Sequence, residues 1–83
     1  MPKLKPEQHA VISVERKTGI ILSLDGKRWQ KGDGPEPWRV FDSLTAAREF
    51  ATTESVKNPL VEFGIYDFQQ KHIENISHER PVA

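Results

Sequence analysis

The segment of this sequence with the most chemistry is residues 27–39, which holds both tryptophans of the chain. It reads Lys-Arg-Trp-Gln-Lys-Gly-Asp-Gly-Pro-Glu-Pro-Trp-Arg. Aromatic faces beside arginine can stack on bases, sugars or proline rings, and Trp and Arg are enriched at interface hot spots. One interpretation is a recognition loop that binds through Lys27, Arg28, Trp29, Lys31, Trp38 and Arg39. The alternative is that both tryptophans anchor the sheet against a helix, while the charges only solvate the edges.

The residues that metal binding or catalysis would need are not arranged for either. His9, His72 and His78 lack the spacing of a zinc site, and the sequence contains no cysteine. No serine lies in a Gly-x-Ser-x-Gly elbow, and the glycine-rich stretches lack the Lys-Ser/Thr ending of a phosphate-binding loop. We therefore predict no metal, no cofactor and no catalytic activity.

The charge balance bears on the class of partner and on location. Lys plus Arg and Asp plus Glu each number 12, so the formal net charge is zero. Proteins that coat nucleic acid carry a basic excess, which makes nucleic acid an unfavourable partner here. The longest unbroken apolar run covers residues 19–22, which is too short to span a membrane. Because no apolar run follows Met1 and cysteine is absent, we expect a soluble cytoplasmic protein.

Alternating apolar patterns predict most of the strands. Residues 9–15 alternate, with Ala10, Ile12 and Val14 on one side, and residues 20–24 alternate again after a turn at 17–19. Residues 38–41, 60–68 and 72–77 also read as extended, with a turn at 69–71. A short strand at 27–31 would follow the turn signal Asp25-Gly26 and precede a loop with two glycines and two prolines.

One amphipathic helix is predicted between residues 43 and 58. Asp42 or Ser43 can cap its first turn, because either side chain can accept a hydrogen bond from an otherwise unpaired backbone N–H. Asn58-Pro59 ends it, since proline disfavours helical geometry at the preceding residue. The apolar residues at spacings of three and four form one stripe, which consists of Leu44, Ala47, Phe50 and Ala51.

Together these elements predict an α+β domain of order β-β-(β)-β-α-β-β. It consists of an antiparallel sheet of four to five strands with one helix packed across one face. The domain covers residues 9–77, with flexible ends at 1–8 and 78–83. On the face without the helix we expect Ile21, Val11 and part of the set Leu60, Tyr66 and Phe68.

An apolar sheet face without a covering helix favours a protein partner. The leading hypothesis is a non-catalytic protein–protein interaction module, whose partner is another protein or a second copy of the chain bound through the uncovered face. The alternative is a module that binds nucleic acid weakly through residues 27–39, although Asp33 and Glu36 weaken that interpretation. A third hypothesis is a small oligomeric enzyme with its site between subunits.

Overall fold

Five strands and one helix form the part of the chain that the computed structural model describes, which is residues 3–23, 29 and 37–78. The predicted α+β architecture is confirmed. The strand suggested at 27–31 lies outside the described residues, except for Trp29. The elements in chain order are β1 (His9–Glu15), β2 (Ile21–Leu22), β3 (Trp38–Phe41), α1 (Leu44–Lys57), β4 (Val61–Tyr66) and β5 (His72–Ile76).

Strand β1 is the centre of a fully antiparallel sheet. One side of β1 pairs with β4, and β4 pairs in turn with β5. Its other side pairs first with β3 and then, further along, with β2. Ala10, Val11 and Ile12 are all buried, so β1 is covered on both faces. One edge of the sheet is therefore divided between two short strands, whereas β5 forms the other edge.

The turn that joins β1 to β2 requires a glycine. Gly19 has a φ of 72°, a left-handed conformation that glycine adopts without steric cost. Its backbone N–H donates to the carbonyl of Glu15 at 2.8 Å, and the Glu15 N–H donates to the Ile20 carbonyl at 2.9 Å. Thr18 closes the turn by donating its hydroxyl to the Glu15 carboxylate at 3.0 Å. The turn predicted at residues 17–19 is thus confirmed.

Helix α1 begins and ends where the sequence predicts. Ser43 is the cap, with an extended backbone and a side-chain oxygen that accepts from the Ala46 N–H at 3.1 Å. The helix ends at Lys57, where Asn58 takes the C-terminal cap position before Pro59. Helix α1 has 14 residues and is too short and too polar to cross a membrane. It is the one helix among the described residues.

The core lies between α1 and one face of the sheet. Val11, Phe63 and Ile65 from the sheet pack against Ala47 and Ala51, which are 0% exposed. These small side chains let the helix lie close to the strands. Phe41, Leu44, Phe50, Val61 and Ile76 complete the cluster from its periphery.

The prediction that Val11 lies on the uncovered face is wrong. Val11 is opposite Ile65 in the β1–β4 register, and both belong to the core cluster under α1. The physical reason is that β1 is apolar on both sides, so its alternation alone does not indicate which side meets the helix. The side that contains Ala10, Ile12 and Val14 is the one that faces away from α1.

An arginine that follows β1 ties one end of the sheet together by hydrogen bonds. The Arg16 guanidinium donates to the carbonyls of Pro59 at 3.1 Å and His78 at 3.2 Å, which joins the β1 end to the α1–β4 turn and to the residues after β5. Before β1, the Gln8 N–H donates to the Lys5 carbonyl at 2.9 Å in a turn. The flexible ends at 1–8 and 78–83 stay a prediction.

Candidate functional site

The face of the sheet opposite α1 is the candidate functional surface, and we call it the helix-free face. Strand pairing arranges its residues in three rows that run across the sheet. The first row is Val40, Ala10, Tyr66 and His72; the second is Trp38, Ile12, Gly64 and Asn75; the third is Ile21, Val14 and Glu62.

Charged side chains are nearly absent from these three rows. Among the described residues of the helix-free face, Glu62 alone carries a formal charge at neutral pH when histidine is neutral. A solvated face of an antiparallel sheet normally presents polar side chains at alternate positions. The composition of this face therefore resembles a covered surface more than a solvated one.

Exposure divides the helix-free face into a buried centre and an exposed rim. Ala10 is 0% exposed and Ile12 is 6% exposed, although neither faces the helix. Trp38 and Tyr66 are half-buried on either side of them, and Val40 is 45% exposed. The accessible apolar surface of this face is therefore its rim, where a valine and two aromatic rings surround the buried centre.

A polar and aromatic corner lies at the β5 end of the face. The rings of Tyr66 and His72 pack edge to face with centroids 5.3 Å apart, and His72 Nε2 lies 2.7 Å from Asn75 Oδ1. A Cβ atom at Gly64 would lie 3.3 Å from both Asn75 Oδ1 and Tyr66 Cε1, so the glycine leaves room for the corner.

The β4–β5 turn holds this corner in place. The Asp67 carboxylate accepts from the backbone N–H groups of Gln69 and Lys71, both at 2.9 Å. The Asp67 N–H donates to the Lys71 carbonyl at 3.0 Å, which closes the loop. Gln70 has a φ of 62°, the left-handed conformation that the turn needs at that position. Beside the turn, Phe68 is 41% exposed.

Trp38 does not anchor the sheet against the helix in the way the alternative interpretation required, whereas that interpretation stays untested for Trp29. Trp38 pairs with Ile12 and lies on the helix-free face. Trp29 is half-buried, and its backbone N–H donates to the Ile21 carbonyl at 2.9 Å beside β2. The indole Nε1 of Trp29 is buried, and it has no hydrogen-bond partner among the described residues.

The structure separates Arg39 from Trp38. Successive residues of a strand point to opposite faces, so Arg39 lies on the helix side, opposite Val11 in the β1–β3 register. Its guanidinium carbon is 5.2 Å from the centroid of the Phe50 ring, which is a cation–π contact. The other predicted binding residues, Lys27, Arg28 and Lys31, lie outside the described residues.

Neither a metal site nor an enclosed ligand pocket is formed by the described part of the chain. There, no group of three His, Asp or Glu side chains could hold a metal ion. An open depression on the outer side of α1 is lined by five exposed residues, which are Thr45, Arg48, Glu49, Thr52 and Thr53. It lacks the enclosed apolar walls that bury a small-molecule ligand.

Comparison with known protein families, with curated proteins and with solved structures finds no match for this chain. Function must therefore be argued from the helix-free face and from the edges of the sheet.

Sequence reasoning did not single out the corner formed by Tyr66, His72 and Asn75. The sequence predicts part of the set Leu60, Tyr66 and Phe68 on the uncovered face, and Tyr66 lies there, opposite Ala10. His72 and Asn75 join it because the register between β4 and β5 shifts at Ile65/Tyr66. The alternation within one strand carries no signal for such a shift.

Proposed function

We propose that the chain is a non-catalytic protein–protein interaction module whose contact surface is the helix-free face. One observation supports this: within the described part of the chain, the face has a buried apolar centre, a rim of Val40, Trp38 and Tyr66, and a single formal charge at Glu62. The cores of protein interfaces are depleted in charge and enriched in aromatic residues. Trp and Tyr are also the residues that most often carry binding energy.

The proposed occupant is an apolar, weakly charged surface of another protein. Such a surface would cover the Val40, Trp38 and Tyr66 side chains and leave the polar outer side of α1 in water. A second copy of the chain bound through the same face is the other occupant that the experiment distinguishes. A cytoplasmic location and the absence of a catalytic role are part of this proposal.

Site-specific photo-cross-linking tests the proposal with a matched pair of valines. A benzophenone amino acid is placed at Val40, which is 45% exposed on the helix-free face, or at Val56, which is 59% exposed on α1. Irradiation of an extract of the source cells should give one discrete cross-linked protein from position 40 and none from position 56. A cross-linked dimer from the purified protein would identify a second copy as the occupant.

Two results of the cross-linking would contradict the proposal. If position 40 gives no cross-link in extract or in purified protein, the helix-free face is not a contact surface. The same conclusion follows if positions 40 and 56 give the same set of products, because exposure alone would then explain the cross-linking.

The nucleic-acid alternative has no comparable support among the described contacts. It requires Trp38 and Arg39 to act on one surface, whereas the strand places them on opposite faces. Arg39 is also engaged with the Phe50 ring. Binding to an oligonucleotide therefore stays a secondary hypothesis.

A further inference from the structure

Two aromatic rings of the helix-free face lie in one row across the sheet. Trp38 on β3 and Gly64 on β4 both pair with Ile12, so they share a row on either side of β1. The Tyr66 ring reaches into that row, because its Cε1 atom is 3.3 Å from the position that a Cβ atom of Gly64 would take. The row therefore carries one aromatic ring on each side of Ile12, which is 6% exposed.

The spacing of the strands gives the separation of the two rings. Strands β3 and β4 lie two strand spacings apart, with β1 between them, which is about 9.6 Å. Residues i and i+3 of a polyproline II helix lie on one side of it and about 9.3 Å apart. On one side of an extended strand the repeat is about 6.8 Å, and one or two turns of an α-helix advance by about 5.4 or 10.8 Å. The ring separation therefore fits polyproline II best.

The size of the face favours a short segment of a partner over a folded surface. The face is four strands wide at about 4.8 Å each and three rows deep at about 6.8 Å each, which is a planar area of about 400 Å². A standard interface between folded proteins, or between two copies in a stable dimer, takes about 800 Å² from each partner. The face has about half of that area, so a single extended segment suits it better.

The charge of the face limits the composition of such a segment. In the described part of the chain, the one formal charge of the face is Glu62, which lies in the row next to that of the rings. Charged side chains of a segment lying on the rings would lose water without gaining a partner. Proline carries no charge and no backbone N–H, and its segments take the polyproline II conformation before they bind aromatic grooves. A proline-rich segment therefore matches both the charge and the spacing.

We propose that the helix-free face binds a proline-rich segment of a partner protein in the polyproline II conformation. The segment crosses β3, β1 and β4, and two prolines three residues apart pack on Trp38 and Tyr66, with Ile12 between them. This inference rests on the proposed function, because it names the class of partner for the same surface.

Two peptides of identical composition test the spacing. The peptide (Pro-Ala-Ala)4 has proline at every third position. The peptide Ala-Ala-(Pro-Ala)4-Ala-Ala has proline at every second position, so no two of its prolines are three residues apart. Each peptide is titrated to millimolar concentration into the full-length ¹⁵N-labelled chain, and binding is followed by NMR.

The peptide with the period of three should move the amide signals of β1, β3 and β4, and it should leave those of Thr45 and Thr52 on the outer side of α1 in place. It should bind roughly fivefold more tightly than the other peptide, because the period of two leaves one proline away from its ring.

Variants of one ring locate the binding on the protein. Tyr66→Ala should weaken binding of (Pro-Ala-Ala)4 roughly tenfold, whereas Tyr66→Phe keeps the ring and should retain the affinity. The matched control is Phe68→Ala, which removes an aromatic ring that is 41% exposed in the β4–β5 turn and does not belong to the three rows. It should leave the affinity unchanged. If Tyr66→Ala does not fold, the comparison of the two peptides on the wild-type chain still decides.

Three outcomes would overturn the inference. Neither peptide moves any signal, the two peptides bind equally, or the peptide with the period of two binds more tightly, which would indicate an extended strand instead. If the cross-link at position 40 captures another protein while both peptides fail, the face binds a folded surface, and the proposed function stands without the polyproline II segment. If position 40 of the purified chain links only to a second copy and both peptides fail, a dimer takes the place of that segment.

Discussion

Truncating one buried isoleucine tests the placement of the core under α1. Ile65 is 0% exposed and packs with Val11, Ala47, Ala51 and Phe63. Ile65→Ala removes three carbons, which costs about 2.4 kcal/mol in transfer free energy. The cavity left between helix and sheet raises the loss to roughly 3–4 kcal/mol. Since a domain of this length has a free energy of unfolding of about 4–12 kcal/mol, the variant should lose from about a quarter to nearly all of that stability.

The matched control lies in the same hairpin. Ile73 is 38% exposed, so Ile73→Ala leaves no enclosed cavity and should cost roughly 1–1.5 kcal/mol. Both variants are compared with wild type by urea unfolding at one protein concentration, with circular dichroism as the signal. If the two losses differ by less than about 1 kcal/mol, Ile65 does not lie in a tightly packed core, and the assignment of the helix face is refuted.

Three further predictions follow from single contacts. Ser43→Ala removes the cap that accepts from the Ala46 N–H, so it should lower the free energy of unfolding by about 1 kcal/mol, and an unchanged urea midpoint would contradict the capping role. Gln70→Gly relieves a φ of 62°, so it should stabilise the fold by about 0.5–1 kcal/mol; a lower melting temperature would show that the Gln70 side chain contributes more than its backbone strain costs. A fluorescent single-stranded oligonucleotide should show no anisotropy change with the protein in about 50 mM salt, whereas binding that weakens steeply with salt would revive the nucleic-acid alternative.

The helix could be predicted almost to the residue because all its determinants are local. The cap Ser43, the apolar stripe and the stop at Asn58-Pro59 each act within a few positions of the chain, and the structure uses all of them. The strands β1, β3 and β5 were also located well from alternation. The pairing partners of these strands could not be predicted, because β2 and β3 share one side of β1 through contacts between residues that are distant in sequence.

The candidate site was less predictable than the fold. Sequence reasoning concentrated on the tryptophans, yet the structure places Trp38 in a row with Ile12, Gly64 and Asn75 and directs Arg39 to the other face. Strand alternation separates neighbouring residues in this way, so a cluster of types along the chain does not make a cluster in space. The helix-free face could be predicted only in part, because the set of residues on it depends on the registers of four strand pairs.

The contrast between two surfaces of this chain is the strongest argument for a partner. The outer side of α1 carries threonines with Arg48 and Glu49, as expected of a surface in water. Among the described residues, the helix-free face of the same small domain has Val40 and Trp38 at its rim and one charge, Glu62, and no second helix covers it. If the helix-free face were permanently in water, we would expect its rim to be polar, as the outer side of α1 is.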